Sequence, residues 1–166
     1  LISRDEMVGK IKAAVDARHS AGTLVIARTD AIAVEGFDAA IDRAQHYAAA
    51  GADALFVEAP GSKADLSRIA QALGTRLPLM ANMVEGGLTP LQSAEELQSL
   101  GFSLVIFPGG IVRAIARTAQ EFYGSLLRDG TTAAFQPRMF TFGELNEVIG
   151  TPELLAQGKR YGGDNA

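Results

Sequence analysis

Four apolar runs recur along the chain, and each run ends in polar residues. The runs are Leu24-Val-Ile-Ala-Arg28-Thr-Asp30, Ala54-Leu-Phe-Val-Glu58, Leu79-Met-Ala-Asn82 and Leu104-Val-Ile-Phe107-Pro108. A run that is apolar at every position, rather than at every second one, is typical of a strand covered on both faces. Such strands belong to parallel sheets with helices between them. The pattern therefore predicts four parallel strands.

Helical patterns alternate with these runs. Ser3 and Glu6 have the spacing of a capping box before the first helix. After Asp30 we predict a short loop through Glu35-Gly36, and an apolar helical face then runs from Phe37 to Ala48. The strands recur at intervals of about 25 to 30 residues. Four consecutive units of this size predict half of a (β/α)8 barrel, a fold of ~250 residues. An open doubly wound sheet remains the alternative at this point.

The chain changes character after Gly130. We predict that residues 1–130 form the strand–helix body and that residues 131–166 form a linker and a helical extension. Thr141 and Glu144 have capping-box spacing, and Pro152 fits the first position of a further helix. This extension lies outside the strand–helix alternation, so we expect it to pack on the body or on a neighbouring subunit.

Composition narrows the function classes. The 166 residues carry a formal charge of −4 and have no basic block, which argues against a nucleic-acid partner. No apolar stretch approaches the ~20 residues of a membrane helix. There are no cysteines, which excludes disulfides and thiolate metal sites here and weakly favours a cytoplasmic location. The first residue is Leu1 rather than Met, and we expect the start of translation to lie elsewhere.

The polar residues at the strand ends are the candidate site. In parallel α/β folds ligands bind at the carboxyl ends of the strands, so Arg28, Asp30, Glu58 and Asn82 should share one rim. A guanidinium there can hold a carboxylate with two hydrogen bonds. The alternative is a structural ion pair of Arg28 with Glu58 or Asp30. Glu85, in the loop after Asn82, could face the site or the solvent.

Three ordered motifs resemble one superfamily. Ala27-Arg-Thr-Asp-Ala31, Ala50-Gly-Ala-Asp-x-x-Phe-x-Glu-Ala59 and Ala81-Asn-Met-x-Glu-Gly-Gly-x-Thr-Pro90 are similar to the isocitrate lyase/phosphoenolpyruvate mutase superfamily, over residues 1–161. The resemblance implies a (β/α)8 barrel that forms dimers or tetramers, in which a C-terminal helix crosses to a neighbour. The third motif is most similar to the 2-methylisocitrate lyase, dimethylmalate lyase and oxaloacetate-hydrolase branch, and to chains labelled carboxyvinyl-carboxyphosphonate phosphorylmutase.

The resemblance also implies a chemistry. The superfamily breaks or forms C–C or C–P bonds next to a carboxylate, through a Mg²⁺-held enolate of a 2-oxo acid. By this resemblance Arg28 would bind a carboxylate of a dicarboxylate or 2-oxo acid substrate. Glu58 and Asn82 would line the pocket, and Phe107 and Pro108 would form part of its wall.

The chain departs from the superfamily in one large respect. The acidic metal ligands and the mobile Lys-x-Cys-Gly-His-like loop are absent, and we expect them, with the catalytic residues, in an N-terminal half that precedes Leu1. The leading hypothesis is therefore the C-terminal part of a Mg²⁺-dependent carbon–carbon lyase. The alternatives are a C–P mutase or hydrolase and a catalytically incomplete half-barrel.

Overall fold

A computed structural model describes residues 1–162, which contain a four-stranded parallel sheet and eight α-helices. The strands are β1 (Ile26–Thr29), β2 (Ala54–Val57), β3 (Leu79–Asn82) and β4 (Leu104–Ile106). The helices are α1 (Arg4–Ala17), α2 (Ile32–Glu35), α3 (Phe37–Ala49), α4 (Lys63–Leu73), α5 (Ala94–Leu100), α6 (Gly110–Asp129), α7 (Phe142–Val148) and α8 (Thr151–Tyr161). No helix among these residues is long and apolar enough to cross a lipid bilayer. The chain divides into two compact units, and the second begins at Val112.

The strands lie in the order of the sequence. β1 pairs with β2, β2 with β3 and β3 with β4, all in parallel. A doubly wound sheet reverses its strand order at a switch point, and these four strands show no reversal. The observed order is that of consecutive barrel strands, so it favours the predicted barrel units over the alternative.

One face of the sheet carries the hydrophobic core. Side chains alternate across a strand, and the alternate positions Ala27, Leu55, Val57, Leu79 and Ala81 join one buried cluster. The same cluster contains the inner faces of the helices, with members Ile11, Ala40, Ala44, Tyr47, Leu66, Ile69, Leu73 and Leu97. The helices therefore cover this face and fix its orientation.

The other face of the sheet is only partly covered within the described residues. β2 is buried at all four positions, but Ile26 of β1 and Leu104 of β4 are 41% and 44% exposed. The prediction that every strand is covered on both faces is therefore wrong for the outer strands of this chain. The continuous apolar runs arise because this second face is also apolar at its amino end and becomes polar only where the strands end.

Several predicted boundaries also need correction. β1 begins at Ile26 rather than Leu24, and the predicted loop after Asp30 contains the short helix α2. Ser3 caps α1 through its hydroxyl, which accepts from the Glu6 N–H at 3.2 Å. The carboxylate of Glu6 does not complete the box, because it pairs with Lys10 at 2.9 Å.

The second unit contains its own small aromatic cluster. The ring of Phe122 meets the rings of Tyr123 and Phe135 edge to face. Phe135 lies on a 3₁₀ helix, Ala133–Arg138, within the segment predicted as a linker. The carboxylate of Glu121 accepts from Arg117 and Arg138, and the guanidinium of Arg138 also lies over the Phe135 ring. The predicted capping box at Thr141 and the helix at Thr151 are present.

A polar connection at the amino ends of β1 and β2 ties α1 to the sheet. The Asp53 carboxylate accepts from Arg18 Nη1 and from the Val25 N–H, each at 2.8 Å. The Asp53 N–H in turn donates to the Val25 carbonyl at 2.8 Å. The hydrogen bond from Val25, followed by the one from Arg18, holds the pKa of Asp53 below its ordinary value.

We predict that Asp53→Asn lowers the urea midpoint of unfolding at pH 7. The pKa of Asp53 is lower in the folded than in the unfolded chain, so its carboxylate stabilises the fold above the unfolded pKa. That stabilisation is lost as the pH falls through the folded pKa. The difference in urea midpoint between variant and parent should therefore disappear at acidic pH. Asp16→Asn, on the exposed side of α1, is the control; an equal effect there would contradict this role for Asp53.

Candidate functional site

The strand register brings three predicted site residues together. Arg28 pairs in register with Phe56, and Phe56 pairs with Met80. Glu58 and Asn82 each lie two residues beyond a paired position, so they share a face and a level of the sheet. Arg28 lies one step lower on the same face. The register therefore explains why side chains far apart in sequence meet at the carboxyl end of the sheet.

Arg28 lies between two carboxylates. Its Nε and Nη2 donate to the two oxygens of Asp30 at 3.0 and 2.7 Å, and Nη2 lies 3.7 Å from Glu58 Oε2. The guanidinium carbon lies 5.0 Å from the centre of the Phe56 ring, a cation–π distance. The Asp30 hydrogen bonds raise the pKa of Arg28, and Arg28 in turn lowers the pKa of Asp30. The ion pair considered from the sequence is thus formed with Asp30, through one edge of the guanidinium.

Asn82 completes the arrangement on the next strand. Its Nδ2 donates to Glu58 Oε2 at 3.3 Å and to Oε1 at 3.5 Å. A carboxylate only accepts hydrogen bonds, which fixes the amide nitrogen on the Glu58 side. Among the described residues, Asn82 Oδ1 is buried and has no hydrogen-bond partner. A buried acceptor without a donor is destabilising, so this oxygen is able to accept a bond from a ligand.

The loop after Glu58 has a strained backbone. Ala59 has φ +60°, and it alone among the described non-glycine residues has a positive φ. Left-handed backbone is unfavourable for a residue with a Cβ, and such strain concentrates at functional sites. A cavity of about 100 Å³ lies beside it, lined in part by Glu58, Asn82, Gly87 and Thr89. A larger cavity of about 610 Å³ beside β4 has no charged lining residue, so it is not the candidate for anion binding.

The remaining predicted site residues lie at the edge of this rim. Pro108 is exposed directly after β4 and next to the half-exposed Phe107. Glu85 is half-buried against the first residue of α6, since a Cβ added to Gly110 would lie 2.8 Å from Glu85 Oε1. The glycine therefore leaves room for this carboxylate. The roles of Pro108 and Glu85 towards a ligand stay predictions.

The described residues do not provide a metal site. No group of three His, Asp or Glu side chains between residues 1 and 162 has a geometry that could hold a metal ion. The two rim carboxylates, Asp30 and Glu58, are both directed at Arg28, which competes with a cation for their oxygens. Mg²⁺ therefore does not fit this set of side chains.

The sequence does not predict one ion pair, in which a buried arginine of α3 meets an exposed glutamate. Arg43 of α3 is 8% exposed and holds both oxygens of Glu35 at 2.6 Å. The signal in the sequence is a basic residue at helical spacing from Ala40 and Tyr47, which places a cation on the apolar face of α3. Its partner Glu35 could not be assigned because the region from Ile32 to Glu35 was predicted as a loop.

Comparison with known proteins identifies the family to which this chain belongs. Residues 1–127 match the family model for phosphoenolpyruvate phosphomutase. The chain belongs to the phosphoenolpyruvate phosphomutase family. It is 42% identical over 149 residues to 2-methylisocitrate lyase of Escherichia coli (strain K12), covering 90% of this chain and 50% of the relative. It is 38% identical over 154 residues to 2,3-dimethylmalate lyase of Eubacterium barkeri, and this match covers 93% of this chain and 53% of the relative.

Solved structures of this family share the fold. Oxaloacetate acetylhydrolase in complex with its product oxalate matches with a TM-score of 0.86 at 30% identity, over 98% of this chain and 56% of that one. Phosphonopyruvate hydrolase with oxalate and Mg²⁺ matches with a TM-score of 0.80 at 28% identity, over 97% of this chain and 57% of that one. The phosphomutase-family chain described here thus spans about half the length of the relatives it matches. Its four strand–helix units are part of a (β/α)8 barrel, as predicted.

We predict that Arg28→Met raises the pKa of Asp30 towards the ordinary aspartate value. Asp30 is held low mainly by its hydrogen bonds to Arg28, and methionine removes both bonds and the charge while keeping an unbranched stem. Carboxyl-carbon NMR titration measures the change. The pKa of Asp53, at the other end of the sheet, should not move. An Asp30 pKa unaltered by the substitution would show that the pair is not formed in solution.

Proposed function

We propose that this chain contributes the carboxylate-binding part of a carbon–carbon lyase that acts on a small 2-hydroxy or 2-oxo dicarboxylate. The observation that supports this best is the convergence of Arg28, Glu58 and Asn82 on adjacent strand ends. The named activities of the relatives, which include 2-methylisocitrate lyase and oxaloacetate acetylhydrolase, point to the same substrate class. We propose this activity for the whole enzyme, because the chain spans about half the length of its relatives.

Arg28 has the geometry to bind one substrate carboxylate. Asp30 occupies the Nε and Nη2 edge of the guanidinium, which leaves the hydrogens of Nη1 for a second acceptor. The side chains of Arg28 and Asp30 are both about half exposed, so their ion pair lies at the surface of the rim. Such a pair is weak in water, so a substrate carboxylate can share or replace Asp30 at little cost.

Glu58 and Asn82 would orient the rest of the substrate. The buried Oδ1 of Asn82 accepts a hydrogen bond from a donor such as a substrate hydroxyl, which relieves its lack of a partner. A 2-hydroxy acid supplies a carboxylate and a hydroxyl on neighbouring carbons. Glu58, fixed by Asn82 and Arg28, would in turn position the hydroxyl or a bound water.

The charge balance of the rim supports a need for a further cation. Arg28 contributes one positive charge, and Asp30 and Glu58 contribute two negative charges. A dianionic substrate would therefore meet a site with a net negative charge, which is unfavourable at close range. We propose that Mg²⁺ supplies the missing charge from ligands outside residues 1–162.

Two exposed surfaces support the proposed partners. The less covered face of the sheet exposes Ile26 and Leu104, which fits a barrel whose other half covers it. The second unit exposes large apolar side chains such as Leu127 and Phe142, which a neighbouring subunit could cover. We propose a homodimer or homotetramer in which this unit packs on a neighbour. The domain boundary at residue 130 and the cytoplasmic location stay predictions.

We predict that Arg28→Ala in the complete protein weakens oxalate binding in the presence of Mg²⁺ by roughly 10- to 100-fold, the value of a charged hydrogen-bond pair. Isothermal titration calorimetry measures the affinity, and circular dichroism should show an intact fold. Arg68→Ala is a matched control: Arg68 is 53% exposed against 50% for Arg28, pairs with Asp65 and stacks on Phe37. Normal binding by Arg28→Ala would remove Arg28 from the proposed site.

We predict that the complete protein cleaves methylisocitrate or oxaloacetate faster than phosphonopyruvate. The relatives with 42% and 38% identity are carbon–carbon lyases, whereas phosphonopyruvate hydrolase is 28% identical. A coupled pyruvate assay follows methylisocitrate and phosphonopyruvate, and oxalate release follows oxaloacetate. Preference for phosphonopyruvate would favour carbon–phosphorus chemistry. No turnover of any of the three would contradict the proposed lyase activity.

A further inference from the structure

Arg43 occupies an unusual place for a cation. It lies on the buried side of α3, between Ala40 and Tyr47, and only 8% of its surface is exposed. Its Nε and Nη2 donate to the two oxygens of Glu35 at 2.6 Å each. A buried arginine requires hydrogen bonds at most of its donors to offset the loss of water. Two acceptors beyond Glu35 meet that requirement.

These further acceptors belong to different parts of the chain. Arg43 Nη1 donates to the carbonyl of Ile2 at 3.1 Å and to the hydroxyl of Tyr47 at 3.4 Å. One guanidinium thus joins the segment before α1, the turn that contains α2 and the middle of α3. The hydrogen bonds to Glu35, followed by the one to Tyr47, raise the pKa of Arg43, which stays charged.

The turn that Arg43 holds is continuous with the rim. Ala31 is fully buried and directly follows Asp30, and its carbonyl accepts from the N–H groups of Val34, Glu35 and Gly36. On the other side, the Thr29 hydroxyl accepts from the Ala31 N–H at 3.3 Å. The backbone position of Asp30 is therefore set by a compact turn whose far end, Glu35, is fixed by Arg43.

We propose that Arg43 is a positioning residue, which clamps the turn 31–36 to α3 and to the Ile2 carbonyl and so holds the Arg28–Asp30 pair in its binding geometry. The proposal rests on the proposed function for its effect on substrate. Its effect on the pair itself stands independently. Through Ile2, the same residue connects the position of the rim cation to the chain segment that precedes α1.

The test compares Arg43→Met with Arg18→Met in the complete protein. Arg18 also forms a partly buried pair, with Asp53 at 2.8 Å, but at the opposite end of the strands. In Arg43→Met we expect the amides of Val34, Glu35 and Gly36 to exchange about tenfold faster, because their turn is released. We also expect the NMR-measured pKa of Asp30 to rise. Arg18→Met should change neither quantity.

A binding measurement completes the test. Oxalate affinity in the presence of Mg²⁺ should fall about tenfold in Arg43→Met and less than twofold in Arg18→Met. Glu35→Gln, which keeps the side-chain shape, should give smaller changes in the same direction and replaces Arg43→Met if that variant does not fold. Unchanged turn amides, an unchanged Asp30 pKa, or equal losses in the Arg18 variant would each overturn the proposal. If the parent protein binds no oxalate, the proposed function fails, and the exchange and pKa results still decide the role of Arg43.

Discussion

Parallel register is the constraint on which the candidate site depends. Three adjacent strands end at the same level, so residues two positions past a paired residue meet across the sheet. The 3.3 Å hydrogen bond between Asn82 and Glu58 follows from that level, and so does the position of Arg28 one step below. A shift of one residue in β2 would turn Glu58 to the helix-covered face. The core side chains Leu55 and Val57 oppose such a shift, because they would leave the core at the same time.

The two faces of the sheet have different roles: one carries the hydrophobic core, and the other carries the candidate site. The helix-covered face is closed by aliphatic side chains from every strand and from α1, α3, α4 and α5. The opposite face changes along its length from apolar Ile26 to charged Arg28 within one strand. This change from apolar to polar side chains appears in the sequence as an apolar run that ends in polar residues. The uncovered apolar positions are consistent with a barrel interior, which the lengths of the relatives also indicate.

Sequence reasoning located the rim because strand ends can be read from a one-dimensional pattern. It placed Arg28, Glu58 and Asn82 together without knowing any distance. It left open whether Arg28 pairs with Asp30 or Glu58, since that choice depends on a turn geometry that no local pattern encodes. It missed Arg43, because its significance appears only once α2 brings Glu35 over the apolar face of α3. It also overestimated the cover on β1 and β4, because a run of apolar residues does not reveal what lies against it.

Energetically unfavourable features are concentrated at the rim. Ala59 adopts a left-handed backbone, and Asn82 Oδ1 has no partner among the described residues. Each feature reduces the stability of the ligand-free chain. The fold tolerates them because the helix-covered core fixes the positions of β1, β2 and β3. A bound hydroxy acid, as proposed above, would supply a donor for Asn82 Oδ1, so binding would remove the cost of that unpaired acceptor.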